Sequence, residues 1–209
     1  MPELSPVHTT VDARDRILEA ALSVFSEVGF SGATMRAIAE EAGVSPGLIH
    51  HHFKDKESLW NLVGERTSDD LAKAVSAIPD DAADDPARAL RHTMASYQRY
   101  WKEHPRALRF QLWRVLGAPV EERKSRSQFL NSHFVPKIRQ AQEAGLVRDD
   151  IPAGLAMTTV GGLIQYFLHS DIEIESAIGV TGDTVPDDDQ LLDYFIGLIA
   201  PPADTGPKD

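Results

Sequence analysis

The chain contains no cysteine, which excludes a disulfide framework and any thiolate metal site. No apolar run is long enough to span a bilayer, and the N-terminus carries nothing like the apolar core of a signal peptide. A cytoplasmic protein without a membrane partner is the expectation. Positive charge is scarce: 21 Lys and Arg stand against 32 Asp and Glu, a net charge of −11. That balance excludes a protein that coats nucleic acid through a basic field. Period-two alternation of the kind a strand needs is missing, and so are internal repeats. What is present is a succession of helical stripes in 209 residues that are 42% hydrophobic, enough to bury a sizeable core. The fold class expected is all-α, with about nine helices.

The stretch Thr34 to Phe53 organises the rest. Met35, Ile38, Ala39 and Ala42 fall on one helical face, with Thr34 placed to cap it and Gly43 placed to end it. Val44 plugs the turn. Ser45 caps a second short helix, Pro46 occupies its first position, and Ile49 and Phe53 face inward. Two short helices joined by a tight turn make a helix-turn-helix whose second helix presents its other side to a partner. A preceding helix from about Asp12, with Ile17, Leu18, Ala21, Val24, Phe25 and Val28 on one stripe and Gly29 at its end, completes a small core. Residues 1–66 hold six cations, Arg14, Arg16, Arg36, Lys54, Lys56 and Arg66, against ten acids, so binding to DNA must rest on a few positioned groups.

Downstream, Asp55 caps a helix running toward Ile78, and Pro79 to Pro86 reads as an acidic, solvated connection. Asp85 and Pro86 start a helix that His104-Pro105 breaks. A sixth helix ends at Gly117. A long one from Val120 to Ala144 contains Pro136, where a kink is expected. Asp150 is placed to cap a largely apolar helix over Ile151 to His169, Ser170 to Pro186 reads as irregular, and Asp187 to Ala200 forms the last helix. The domains expected are a helix-turn-helix unit at 10–56 and a second helical unit at 57–200, to which the resemblance described next assigns DNA binding and effector binding with dimerisation respectively, with flexible tails at 1–9 and 201–209.

Five spaced elements resemble the DNA-binding domain of the TetR family of bacterial transcriptional regulators. They are R-x-x-I-L-x-A-A (Arg14 to Ala21), F-x-x-x-G-F (Phe25 to Phe30), T-M-x-x-I-A (Thr34 to Ala39), A-G-V-S-x-G (Ala42 to Gly47) and H-H-F-x-x-K-x-x-L (His51 to Leu59). The resemblance covers about a quarter of the chain; the remainder matches in outline, as an all-helical tail. It implies a homodimeric repressor that reads a near-palindromic operator on double-stranded DNA and is released by a small-molecule effector. An activator, or a regulator blind to ligand, is the alternative that leaves the fold unchanged.

On that resemblance the DNA-binding residues are Thr34, Arg36, Ser45, Pro46, Gly47, Leu48, His50, His52 and Lys56. Arg36 matches a position that reaches guanine, and His52 and Lys56 match phosphate contacts. His50 stands where the family usually has Tyr, which leaves base preference open. The ligand-binding candidates are Tyr97, Trp101, Phe110, Trp113, Phe134, Met157 and Gln165, with Arg109 and Gln111 as further polar handles. Sparse charge among them favours a hydrophobic or amphipathic effector. The dimer interface falls on the last two helices, which are too apolar to be solvated: Leu155, Gly161, Gly162, Ile164, Phe167, Leu168, Leu191, Tyr194, Phe195 and Leu198. Adjacent His50, His51 and His52 do not make a metal site, because consecutive helical side chains diverge by about 100°. The chain carries no phosphate loop, H-E-x-x-H or Glu-x-x-His pair, so an enzyme is the least favoured class, and no cofactor is expected.

Overall fold

A computed structural model describes residues 6–77, 79 and 85–202, the side chains of 6–12 excepted. The described residues contain ten helices and no strand. They are α1 (Pro6–Gly32), α2 (Met35–Glu41), α3 (Pro46–His52), α4 (Lys56–Ser76) and α5 (Pro86–Glu103), followed by α6 (Pro105–Gly117), α7 (Val120–Glu143), α8 (Ala153–His169), α9 (Asp171–Gly179) and α10 (Asp188–Gly197). The acidic connection expected at Pro79 to Pro86 lies largely outside the described residues, as do the ends of both expected tails.

The chain forms two compact units, and neither is a single run of sequence. The first joins Met1–Asp70 to His104–Lys124; the second joins Leu71–Glu103 to Ser125–Asp209. In the first, Ile17, Ala21 and Phe25 of α1 meet Ile38 and Ala39 of α2, Ile49 of α3 and Leu59, Trp60 and Val63 of α4. Three rings sit at the centre. Trp60 stands edge-on to Phe25 at 4.9 Å and to Phe110 of α6 at 4.6 Å. α6 lies along α1, and the backbone of α1 breaks to accommodate it: Gly29 adopts φ 66°, and a Cβ there would meet the Trp113 ring at 2.9 Å. Only glycine meets both demands.

The second unit is built from α5, most of α7, and α8 to α10. Leu90 and Met94 pack with Ile138, Ala141, Val160, Ile164, Leu192, Phe195 and Ile199. Ion pairs hold α5 to α10: Arg91 to Asp189 at 3.2 Å and Asp193 at 3.0 Å, and Lys102 to Asp188.

Most caps fall where expected. Thr34 Oγ1 accepts from Ala37 N at 3.0 Å, Asp55 Oδ1 from Ser58 N at 2.7 Å, and Asp85 Oδ1 from Ala87 N at 3.0 Å. Pro136 lies inside α7, as expected. Three expectations need correction. α1 begins at Pro6, not near Asp12, with proline in the first position that tolerates it. Asp150 does not cap α8, because Arg148 holds its carboxylate, with Nε at 2.6 Å, and the helix starts later, at Ala153. The stretch after Ser170 is not irregular: α9 forms there, anchored by the single buried side chain Ile174.

Candidate nucleic-acid interface

The first unit presents the two short helices as the sequence requires. Ser45 Oγ accepts from Leu48 N at 3.2 Å and Pro46 opens α3, while Gly43 turns the chain between the helices at φ 63°. Ile38, Ala39 and Ile49 are buried, which fixes the opposite faces outward. Thr34, Arg36, Ser45, Pro46, Gly47 and His50 are exposed, and Leu48 is half-buried. A Cβ at Gly47 would have nothing nearer than Ser45 Oγ at 4.0 Å, so this backbone is open to close approach. Arg36 is exposed and pairs with Glu40 one turn on, Nε to Oε1 at 2.9 Å. A shallow cleft of about 500 Å³ between α1 and α2 carries Glu27, Glu40 and Glu41, and its charge disqualifies that side for phosphate.

Two residues assigned to phosphate sit differently from the rest. Lys56 is half-buried; its Nζ donates to Phe30 O at 2.7 Å and Ala33 O at 2.8 Å and lies 4.4 Å from the Phe30 ring centre. It ties the start of α4 to the turn ahead of α2. His52 is half-buried too, and its Nε2 is buried without a hydrogen-bond partner, so that nitrogen is not offered to a backbone. Lys56→Ala is therefore expected to lower the folding free energy by about 1.5–3 kcal/mol, the range for hydrogen bonds to a charged donor. Chemical denaturation checks this; an unchanged midpoint would return Lys56 to a purely external role.

The ligand candidates divide between the units. Phe110 is fully buried in the first core, and Trp113 donates from Nε1 to Ser26 O at 3.2 Å in the same unit. Arg109 is exposed and Gln111 half-buried on that helix. In the second unit Tyr97 lies edge-on to Trp101 at 6.0 Å and to Phe134 at 5.8 Å, and accepts from Gln165 Nε2 at 2.8 Å. Met157 is half-buried nearby in the same core.

Burial pushes the Tyr97 phenol up to about 12, against smaller opposing effects of the neighbouring indole and amide. Below pH ~10, the ordinary tyrosine value, folded and unfolded chains both keep this proton and the group adds no pH dependence. Above it the unfolded chain ionises first, so stability falls as pH rises toward the folded value. Tyr97→Phe is expected to flatten that slope in denaturation experiments at pH ~9.5 and ~11.

The interface candidates also separate. Ile164 and Phe195 are each 1% exposed, sealed in the core of their own unit, with Phe195 edge-on to Phe167 at 4.9 Å. Gly161 faces inward, 3.8 Å from the Tyr97 ring if given a Cβ. Phe167, Leu168 and Leu191 are half-buried against that core. Leu155, Gly162, Tyr194 and Leu198 are exposed, and Tyr166, which the sequence did not single out, joins them at 49%. Helical periodicity identifies an apolar helix; it does not divide its faces between its own core and a partner.

The first unit also holds a buried ion pair that no local charge pattern in the sequence marks. Arg114 of α6 is 4% exposed, with Nη1 3.1 Å from Gly64 O and Nε 2.8 Å from Glu122 Oε1. A Cβ at Gly64 would lie 2.5 Å from the Arg114 guanidinium carbon. A glycine inside a long helix was the available signal, since it costs helix stability and so usually has a packing reason.

Comparisons with known proteins agree with this architecture. Residues 17–63 match the family described as bacterial regulatory proteins, tetR family, and residues 71–188 match the tetracyclin repressor-like C-terminal domain. The chain is 32% identical to the HTH-type transcriptional repressor NicS of Pseudomonas putida, over 80% of this chain and 81% of that protein. It is 29% identical to the HTH-type transcriptional repressor AcnR of Corynebacterium diphtheriae, over 80% and 85% respectively. The fold is shared with a TetR family transcription regulator from Marinobacter aquaeolei, with a TM-score of 0.73 at 20% identity, covering 92% of this chain and 98% of that one. No described helix is long and apolar enough to cross a membrane. Two matched domains in the right order, on a fold that displays its capped helix-turn-helix, make this chain a member of the TetR family of transcriptional regulators, a DNA-binding regulator and not an enzyme.

Proposed function

We propose that the protein is a cytoplasmic repressor that binds a near-palindromic operator as a homodimer and is released by a small apolar or amphipathic effector. The observation that carries the reading is the outward set Thr34, Arg36, Ser45, Pro46, Gly47 and His50, exposed on helices whose other faces are buried. α3 carries no Arg, Lys, Asn or Gln. Base reading therefore rests on Arg36, on His50, and on apolar contact from Pro46 and Leu48 with thymine methyls. Lys56 and His52 support this surface from behind. A seven-residue recognition helix is too small to hold DNA alone, so two copies are needed, with half-sites about one helical turn apart.

The exposed apolar residues of α8 and α10, Leu155, Tyr166, Tyr194 and Leu198, together with Gly162, supply the surface for the second copy. The second unit is the effector domain, acting through a two-state equilibrium in which the effector prefers the form that cannot span the operator. The relatives named as repressors support the sign of regulation.

The test is selection of binding sites from a random duplex library at physiological salt. Recovery of a near-palindrome supports a dimeric reader; recovery of an asymmetric site or none overturns it. Arg36→Ala is expected to cost about 1–3 kcal/mol and to relax choice at one base pair in each half-site. The Arg36–Glu40 pair that must open on binding is exposed and worth little, so it does not mask this loss. Selectivity left intact in the variant would make Arg36 a backbone contact.

A further inference from the structure

A polar stripe runs along one face of α5. Thr93, Tyr97 and Trp101 are spaced four residues apart and so stack on one side of the helix. Thr93 is 1% exposed and Trp101 2%, yet neither Thr93 Oγ1 nor Trp101 Nε1 has a hydrogen-bond partner. The Trp101 ring stands edge-on to the Tyr97 ring, 6.0 Å between centres. Tyr97 keeps partial exposure, and because its oxygen accepts from Gln165 Nε2 at 2.8 Å, its own proton is left to donate. Met157, Gly161 and Gln165 of α8 retain partial exposure as well. Buried polar groups are almost always satisfied, because their desolvation is otherwise uncompensated. Two such groups flanking a phenol on one stripe call for a common partner.

We propose that the Thr93–Tyr97–Trp101 stripe binds the effector, and that the effector is an uncharged, largely apolar molecule whose acceptor atoms meet these donors. The proposal rests on the reading of the second unit as an effector domain and names its ligand class. The indole N–H can only donate, and the two hydroxyls are free to donate, so the complement is an acceptor. The donors span about 12 Å along the helix at roughly 1.5 Å per residue, which suits a ketone, ester, lactone or amide on a ring framework. Arg91 and Lys102 of the same helix are engaged by Asp189, Asp193 and Asp188. A carboxylate placed on the stripe would be desolvated without a counter-ion, and an ammonium would face donors.

Two measurements on the full chain test this. Thr93→Val keeps the side-chain shape and removes an unpaired hydroxyl, so the ligand-free Tm is expected to rise by about 2–4 °C, the shift for a small gain at this chain length. A fall in Tm would mean that the hydroxyl is already satisfied and would overturn the proposal. The second compares 2-acetylnaphthalene, 2-naphthoate and 2-ethylnaphthalene by calorimetry and by release of the selected operator. The ketone is expected to bind at least tenfold more tightly than the other two, and at least one of Thr93→Val and Trp101→Phe, the one that removes the donor to its single carbonyl, is expected to weaken the ketone alone. Preference for 2-naphthoate, or an equal affinity for ketone and hydrocarbon, overturns the ligand class. In that case operator release by 2-naphthoate would keep the effector reading and direct attention to a buried cation such as Arg126. No binding by any of the three overturns the stripe as a site. Ketone binding that leaves the operator bound supports the stripe and removes the effector reading.

Discussion

Phe110→Ala is expected to cost about 3–5 kcal/mol of folding free energy, the range for deleting a fully buried phenylalanine. At roughly 2–4 °C per kcal/mol for a chain of this size, the transition that includes the first unit should fall by about 6–20 °C. The ring is fully buried, edge-on to Trp60 at 4.6 Å and stacked with Phe25 at 6.1 Å. Its removal leaves a cavity between α1, α4 and α6 that the two remaining rigid aromatics, Phe25 and Trp60, cannot refill by small shifts. Operator affinity, measured below the new transition, should be close to that of the parent. A variant with an unchanged Tm and a lost effector response would reverse this assignment and make Phe110 a ligand residue.

Arg114→Ala is the second large effect, about 3 kcal/mol, the low end of the range for opening a buried ion pair. The low end applies because Glu122 keeps 21% exposure and Gly64 O still accepts from Ser68 Oγ at 2.9 Å. Gly64→Ala is expected to produce a similar loss by a different route, because the new Cβ would occupy the place of the guanidinium. The two changes should not add. In the Arg114→Ala background the clash is gone, and alanine is better than glycine inside a helix by roughly 0.8–1.0 kcal/mol, so Gly64→Ala should become neutral or stabilising. Denaturation midpoints of the four proteins in the cycle check the change of sign. Additive losses would mean that Gly64 is required for another reason.

These two sites mark the limit of what the sequence discloses. Local rules were sufficient wherever the deciding partner lies within a few residues. Thr34, Ser45 and Asp55 cap the helices that follow them, and Gly43 takes the positive φ that ends one helix before the next begins. Periodicity placed Ile17, Phe25, Ile38 and Ile49 in one core for the same reason. Where two partners compete, the sequence was silent. Asp150 had the spacing of a cap, but Arg148 two residues away takes its carboxylate. Lys56 had the position of a phosphate contact, yet two carbonyls from the preceding turn hold it. Phe110 ranks among the ligand candidates in the sequence because nothing local says that it returns to the core beside α1. Ile164 and Phe195 show the same ambiguity on helices that are apolar on several faces.

The return of α6 to α1 also sets an order of events during synthesis. The three helices of the reading head emerge from the ribosome early, but the ring that closes their core belongs to α6 and follows only after the whole of α5. At about 5–20 residues per second, the nascent head waits several seconds with Phe25 and Trp60 uncovered. During that interval the two rings are exposed apolar surface open to aggregation, so the core beneath the reading head is completed late in the protein's own translation.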